Sequence, residues 1–156
     1  MSEFLILSLI FPMSGTMTQL TLEHSNSSST AVGCAAAGVL VVDDDGHFRQ
    51  LARCLLECEG IRVLEAEGGH KAIDCLKAHE RDIDCVIVDL VLPDDDGMEV
   101  IRQIKSDLPG AKIIAVSGVA TAALDLRISR HLGADATLSK KEIELLPGLL
   151  ENLLRS

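Results

Sequence analysis

From residue 39 onward the chain repeats one alternation five times: a short aliphatic run, then a segment in which aliphatics recur every three or four positions. The runs are Val39-Leu40-Val41-Val42, Ile61 to Ala66, Cys85-Val86-Ile87-Val88, Lys112 to Val116 and Ala136 to Ser139. Short, nearly continuous apolar runs of this kind mark strands buried on both faces. The segments between them carry a helical period. Phe48, Leu51 and Leu55 face inward in the first, Ala72, Ile73 and Leu76 in the second, and Met98, Ile101 and Ile104 in the third. A fourth helix runs from Ala120 to Leu132, and Leu149, Leu150, Leu153 and Leu154 line the last. Gly60 and Gly133 stop two helices, Pro109-Gly110 closes the third, and Pro147 opens the last, where its missing N–H costs nothing. Five βα units in a row predict an α/β protein with a five-stranded parallel sheet, and right-handed crossovers make it doubly wound. The third run is the most hydrophobic and is placed at the centre. Ligands of such sheets bind at the carboxyl ends of the strands, where the strand order reverses.

With 156 residues the chain has room for one domain and its core. Twenty-four acidic against 14 basic residues give a net charge of −10, so direct nucleic-acid binding through a basic face is excluded. Trp and Tyr are absent and Phe occurs three times, which removes base stacking and leaves an aliphatic core. Five cysteines, an odd number with no CxxC pair, point to free thiols in a reducing cytoplasm. Cys54 and Cys58, four apart, are read as core filler. Residues 1–37 read as a flexible leader. The apolar run Leu5 to Phe11 is too short to span a bilayer and lacks the basic flank of a signal peptide. Met13 and Met17 offer alternative starts, so the leader is also read as a possible start-codon error, and no membrane association is expected.

The chemistry gathers at one edge of the predicted sheet. Asp43-Asp44-Asp45 follow the first strand, Asp89 ends the third, Ser117-Gly118 follow the fourth and Lys140 follows the fifth. Carboxylates brought that close repel one another unless a cation joins them. An all-oxygen site of this kind suits Mg²⁺. A carboxylate beside such an ion is a competent nucleophile towards phosphorus, and the hydroxyl and ammonium would bind phosphoryl oxygens. Taken singly, each group has a plainer role: Asp43-Asp44-Asp45 as a strand-end turn and helix cap, Asp94-Asp95-Asp96 as a solvated loop, Ser117 as a turn residue, Lys140 as a surface lysine.

Together, Val39 to Asp45, Val86 to Pro93 with Asp96-Gly97, Ile114 to Gly118, and Gly133 to Ala136 leading to Ser139-Lys140 resemble the receiver domain of two-component response regulators over residues 38–156. The resemblance implies a flavodoxin-like sheet of order 2-1-3-4-5. It also implies a phosphoprotein switch rather than an enzyme in the ordinary sense, one that catalyses only its own phosphorylation and dephosphorylation. Asp89 matches the phosphoacceptor. Asp43 and Asp44 match the acidic pair, Asp44 as a direct Mg²⁺ ligand and Asp43 mostly through water, and Val91 matches the position that gives the metal its backbone carbonyl. Ser117 matches the hydroxyl that moves to the phosphoryl group, and Lys140 the lysine that pairs with the acceptor or its phosphate. The implied partners are a sensor histidine kinase or histidine phosphotransfer protein, and a downstream protein target in the cytoplasm.

Three departures from the family pattern stand out. Lys141 follows Lys140 where proline is usual, Thr137 takes the place of the switch aromatic, and no effector domain follows Ser156, so output by protein contact is expected. Two other readings are weighed. A haloacid-dehalogenase-like, Mg-dependent phosphatase would place a second Asp two residues after its nucleophile, where this chain has Val91. The other is a receiver-like interaction module that is never phosphorylated, against which the full set Asp44, Asp89, Ser117 and Lys140 argues.

Overall fold

The computed structural model describes residues 37–93, 97–118 and 122–156, the side chains of 122–126 excepted. Five parallel strands, β1 (Gly38–Val42), β2 (Arg62–Ala66), β3 (Cys85–Asp89), β4 (Lys112–Ser117) and β5 (Ala136–Ser139), form one sheet in the order β2-β1-β3-β4-β5. Helices α1 (Gly46–Glu57), α2 (Gly69–Ala78), α3 (Gly97–Asp107), α4 (Ala122–His131) and α5 (Leu146–Arg155) connect or follow them. The doubly wound expectation and the strand order both hold, and β3 lies at the centre with all five residues buried.

Each strand sends alternate side chains into two separate cores. Leu40, Val42, Val86, Val88, Ile113 and Ala115 pack with Ala72, Ile73 and Leu76 of α2 and Val100, Ile101 and Ile104 of α3. Val39, Val41, Cys85, Ile87, Ile114 and Val116 pack with Phe48, Ala52 and Leu56 of α1 and Leu146 and Leu150 of α5. This is why the strands read as continuous apolar runs: both faces are covered.

The first helix corrects the expected inward face. Phe48, Ala52 and Leu56 are buried, Leu55 is half-buried and Leu51 is 48% exposed. At 3.6 residues per turn, Leu51 lies about 100° round the helix from the centre of the buried stripe. The small Ala52 sits at that centre, against the sheet. A second correction concerns the thiols. Cys54 and Cys58 are exposed and are not core filler; Cys85 is buried and Cys75 half-buried, all four free. Helix α4 falls close to its expected span. Gly60 and Gly133 do end α1 and α4, at φ 76° and 119°, a region L-residues rarely adopt. The last helix begins one residue before Pro147 and follows a 3₁₀ stretch, Lys140–Leu145, that the sequence did not suggest. The expected leader, Ala37 apart, and the Asp94-Asp95-Asp96 loop lie outside the described residues. Among the described residues no helix is long and apolar enough to cross a membrane.

Candidate functional site

The strand order reverses between β1 and β3. The chain leaves β1 for β2 on one side and returns to β3 on the other. Val42 pairs with Val88, so the next residues, Asp43 and Asp89, emerge side by side in the crevice where such sheets bind ligands. Oxygens of Asp43, Asp44 and Asp89 lie within 4.8 Å of one another.

The three adjacent aspartates divide the work. Asp45 caps α1, its Oδ1 accepting the His47 N–H at 2.9 Å, and that bond holds its carboxyl below the usual range. Asp43 is fully buried, and its Oδ1 accepts the Asp45 N–H at 2.9 Å. Asp44 is exposed and makes no hydrogen bond or ion pair with the described residues. The plainer reading of the run as a turn and cap therefore holds for Asp45 and in part for Asp43, while Asp44 is left for the crevice.

Lys140 enters from the end of β5. Its Nζ lies 2.6 Å from Asp43 Oδ2 and 2.5 Å from Asp89 Oδ2, and 4.9 Å from the ring centre of Phe48 beneath it. Burial pushes the Asp43 carboxyl up, against the pull of Lys140. Burial alone would lower the Lys140 ammonium, but its bonds to Asp43 and Asp89 outweigh burial and raise it. The other Asp89 oxygen accepts the Val91 N–H at 3.1 Å, which brings the Val91 peptide to the rim of the site.

Ser117, at the end of β4, is fully buried, and its Oγ has no hydrogen-bond partner among the described residues. An unsatisfied buried hydroxyl costs about 1–3 kcal/mol. Ser117→Ala is therefore expected to leave the unmodified protein as stable as the parent or up to about 1 kcal/mol more stable. Urea denaturation checks this, and a clear loss of stability would show that the hydroxyl has a partner. A cleft of about 270 Å³ opens over the group, lined by Asp44, Asp89, Val91, Leu92, Pro93, Gly118 and Lys140.

The structure thus brings together every residue singled out from the sequence in the described part: Asp43, Asp44, Asp89, Val91, Ser117 and Lys140. Sequence reasoning missed Phe48, Arg49 and the Glu65–Arg53 pair. Phe48 floors Lys140. Arg49 donates to the Asp43 carbonyl oxygen at 2.6 Å and to Glu65 at 3.2 Å, and Glu65 on β2 also pairs with Arg53 at 2.8 Å. One signal was available for Arg49: a cation near the start of a helix opposes the helix dipole and so marks a specific partner.

The donor set fits a hard divalent cation. Three carboxylates supply oxygens, one of them exposed to the cleft, and the unpartnered Ser117 hydroxyl is available for a further oxygen ligand of the same complex.

Over 67 residues the chain is 45% identical to the transcriptional regulatory protein ResD of Bacillus subtilis, a match covering 43% of this chain and 27% of ResD. It is 36% identical over 105 residues to the chemotaxis protein CheY of Halobacterium salinarum, covering 67% of this chain and 85% of that one. The chain therefore spans about a quarter of the one relative and most of the other. A crystal structure of a response regulator receiver domain protein from Clostridium thermocellum superposes with a TM-score of 0.71 at 28% identity, covering 76% of this chain and 94% of that one. Residues 39–147 match the model of the response regulator receiver domain, and the chain belongs to that family.

Proposed function

We propose that the chain is the phosphoacceptor switch of a two-component phosphorelay. It takes a phosphoryl group on Asp89 from a sensor histidine kinase or histidine phosphotransfer protein and signals by protein contact in the cytoplasm. Receiver domains are in general phosphoacceptor switches that interact with histidine kinases and downstream targets and bind Mg²⁺ at an acidic pocket. The observation that carries the reading for this chain is Lys140, held between two buried aspartates at the switch point, beside a buried hydroxyl that has no partner among the described residues.

In this reading Asp44, Asp89 and the Val91 carbonyl would hold Mg²⁺ directly, and Asp43 would do so mostly through water. When bound, the ion would supply positive charge against the phosphoryl oxygens. Asp89 presents one carboxylate oxygen to phosphorus. That O–P bond forms as the donor's P–N bond breaks, and the bonding pair leaves with the donor nitrogen. Lys140 keeps Asp43 company while exchanging its bond to Asp89 for one to a phosphoryl oxygen, and Ser117 donates its unused O–H to another. Satisfying Ser117 gives the phosphorylated form a contact the unmodified form lacks, and this biases the loop that follows β4. Thr137, half-buried on β5, has no ring to flip, so the Ser117 loop carries the signal towards α4, β5 and α5.

The test is incubation with Mg²⁺ and a small acyl phosphate, read by intact mass. One added phosphoryl group, absent in Asp89→Asn and in chelator, is expected. Steady release of phosphate from unrelated esters would replace this reading with a metal-dependent phosphatase. No modification under any condition would leave an interaction module.

The lifetime of the phosphorylated state follows from the mouth of the site. In receiver domains the residues two places after the acceptor and two after the hydroxyl residue flank the path of the attacking water. Here they are Val91, 54% exposed, and Val119, which lies outside the described residues. A valine cannot hold a water in line. The unaided phosphoprotein is therefore expected to hydrolyse slowly. Val91→Asn combined with Val119→Glu should speed loss several-fold, roughly 1 kcal/mol off the barrier. Decay of the mass-shifted species in donor-free buffer measures this, and an unchanged rate would take lifetime control away from these positions.

A further inference from the structure

We infer that Arg49 is a positioning residue for the acidic pair: it fixes the peptide between Asp43 and Asp44 so that Asp44 faces a bound divalent cation. The inference rests on the reading of the site given above. The Asp43 carbonyl and the Asp44 N–H belong to one rigid peptide plane. Holding that carbonyl oxygen sets the direction in which Asp44 leaves the strand. Asp44 has no hydrogen bond or ion pair of its own with the described residues, so its aim is set through the backbone alone.

The clamp is well built. The Arg49 Nη1 donates to the Asp43 carbonyl at 2.6 Å while its Nε donates to Glu65 Oε2 at 3.2 Å, so one planar guanidinium joins the strand end to β2. Glu65 is registered opposite Val41, and the Asp43 N–H bonds Ala66 O at 3.1 Å, so the anchor sits on the neighbouring strand of the same sheet. Arg53 Nε lies 2.8 Å from the other Glu65 oxygen but makes no hydrogen bond, so it adds charge outside the clamp and does not set its geometry. The Arg49 side chain is 17% exposed, which limits competition from water.

A purely structural tie between α1 and β2 would use the same atoms, and cation affinity separates the two roles. Mg²⁺ binding is measured by calorimetry on the full chain and its variants, with melting temperatures recorded in chelator. Arg49→Ala is expected to weaken Mg²⁺ about tenfold or more, the usual cost of removing an outer-shell partner. Arg49→Lys, a point donor that reaches one of the two acceptors at a time, should lose several-fold. Arg53→Ala, which removes only the outer pair, should stay within twofold. With a small acyl phosphate as donor, the Mg²⁺ concentration for half-maximal phosphorylation should rise in Arg49→Ala while the rate at saturating Mg²⁺ returns to that of the parent. If Arg49→Ala proves too unstable to assay, Arg49→Lys and Glu65→Gln carry the comparison, and parental affinity in both would overturn the inference. A folded Arg49→Ala with a lowered melting temperature but parental Mg²⁺ affinity would also overturn it and leave a structural tie. A parent protein that neither binds nor is stabilised by Mg²⁺ would instead remove the reading of the site, and the inference with it.

Discussion

Lys140→Met should lower the stability of the metal-free protein by about 2–3 kcal/mol, roughly 10 °C in melting temperature. The substitution keeps the stem that packs over Phe48 and removes only the charge. It leaves Asp43, fully buried, and Asp89, 4% exposed, facing each other with no cation. Breaking a buried pair costs more than the pair itself contributes, because the stranded charge has no water to turn to. Mg²⁺ should restore much of the loss by mass action, since a cation returns to the same carboxylates. Asp44→Asn is the contrasting case. A single Lys140 charge faces the three clustered carboxylates, so negative charge is left over, and removing that of the exposed Asp44 should raise the melting temperature slightly in chelator. The pH dependence has a fixed sign. A cation raised in the folded state contributes stability that is complete below its ordinary value of 10.5 and is lost as pH rises through the raised value. The gap between parent and Lys140→Met should therefore close at strongly alkaline pH. Cys85, pushed up to about 12 by burial, titrates alike in both proteins and cancels in the difference. Chemical denaturation across the alkaline range gives the answer, and a gap that widened with pH would contradict the pairing.

Gly97→Ala should be at least as damaging, about 3 kcal/mol or more. A Cβ at position 97 would stand 2.1 Å from the carbonyl oxygen of Asp89 and 2.6 Å from the Cα of Leu90. Both are backbone atoms at the end of the central strand, and no rotamer change moves them aside. The first residue of α3 is a glycine because the helix is seated directly on the strand that carries Asp89. Gly118→Ala provides the control. Its Cβ would meet the flexible Lys140 side chain at 3.3 Å, so a cost below about 1 kcal/mol is expected. Equal stability of Gly97→Ala and the parent in urea would mean that α3 is not seated there.

These two substitutions also mark what could be read from the sequence. The sheet was legible because each strand needs aliphatic residues on both faces, and that need writes itself as a run. The site was legible because the carboxyl ends of the strands converge: Asp43, Asp89, Ser117 and Lys140 could be placed together from topology alone. Lateral details were not. Leu51 outweighs Ala52 in a hydrophobic pattern, yet close packing of a helix on a sheet prefers the smaller residue at the point of contact. Cys54 and Cys58 share a helical spacing that says nothing about which side of the helix faces water. The Arg49 clamp depends on Glu65 being registered beside Val41, and pairing between strands is invisible to local periodicity. The closeness of Gly97 to Asp89 is likewise a three-dimensional fact, recorded in the sequence only as a glycine at a helix start.

The central claim is that Asp89 receives the phosphoryl group, and borohydride reduction tests it at the level of the atom. An acyl phosphate on an aspartate is reduced to homoserine, which leaves a stable mark at the modified position. After incubation with Mg²⁺ and a small acyl phosphate, then borohydride and peptide mapping, homoserine is expected at position 89 and at no other aspartate. Homoserine at Asp43 or Asp44, or a phosphorylated protein in which Asp89 remains intact, would contradict the account.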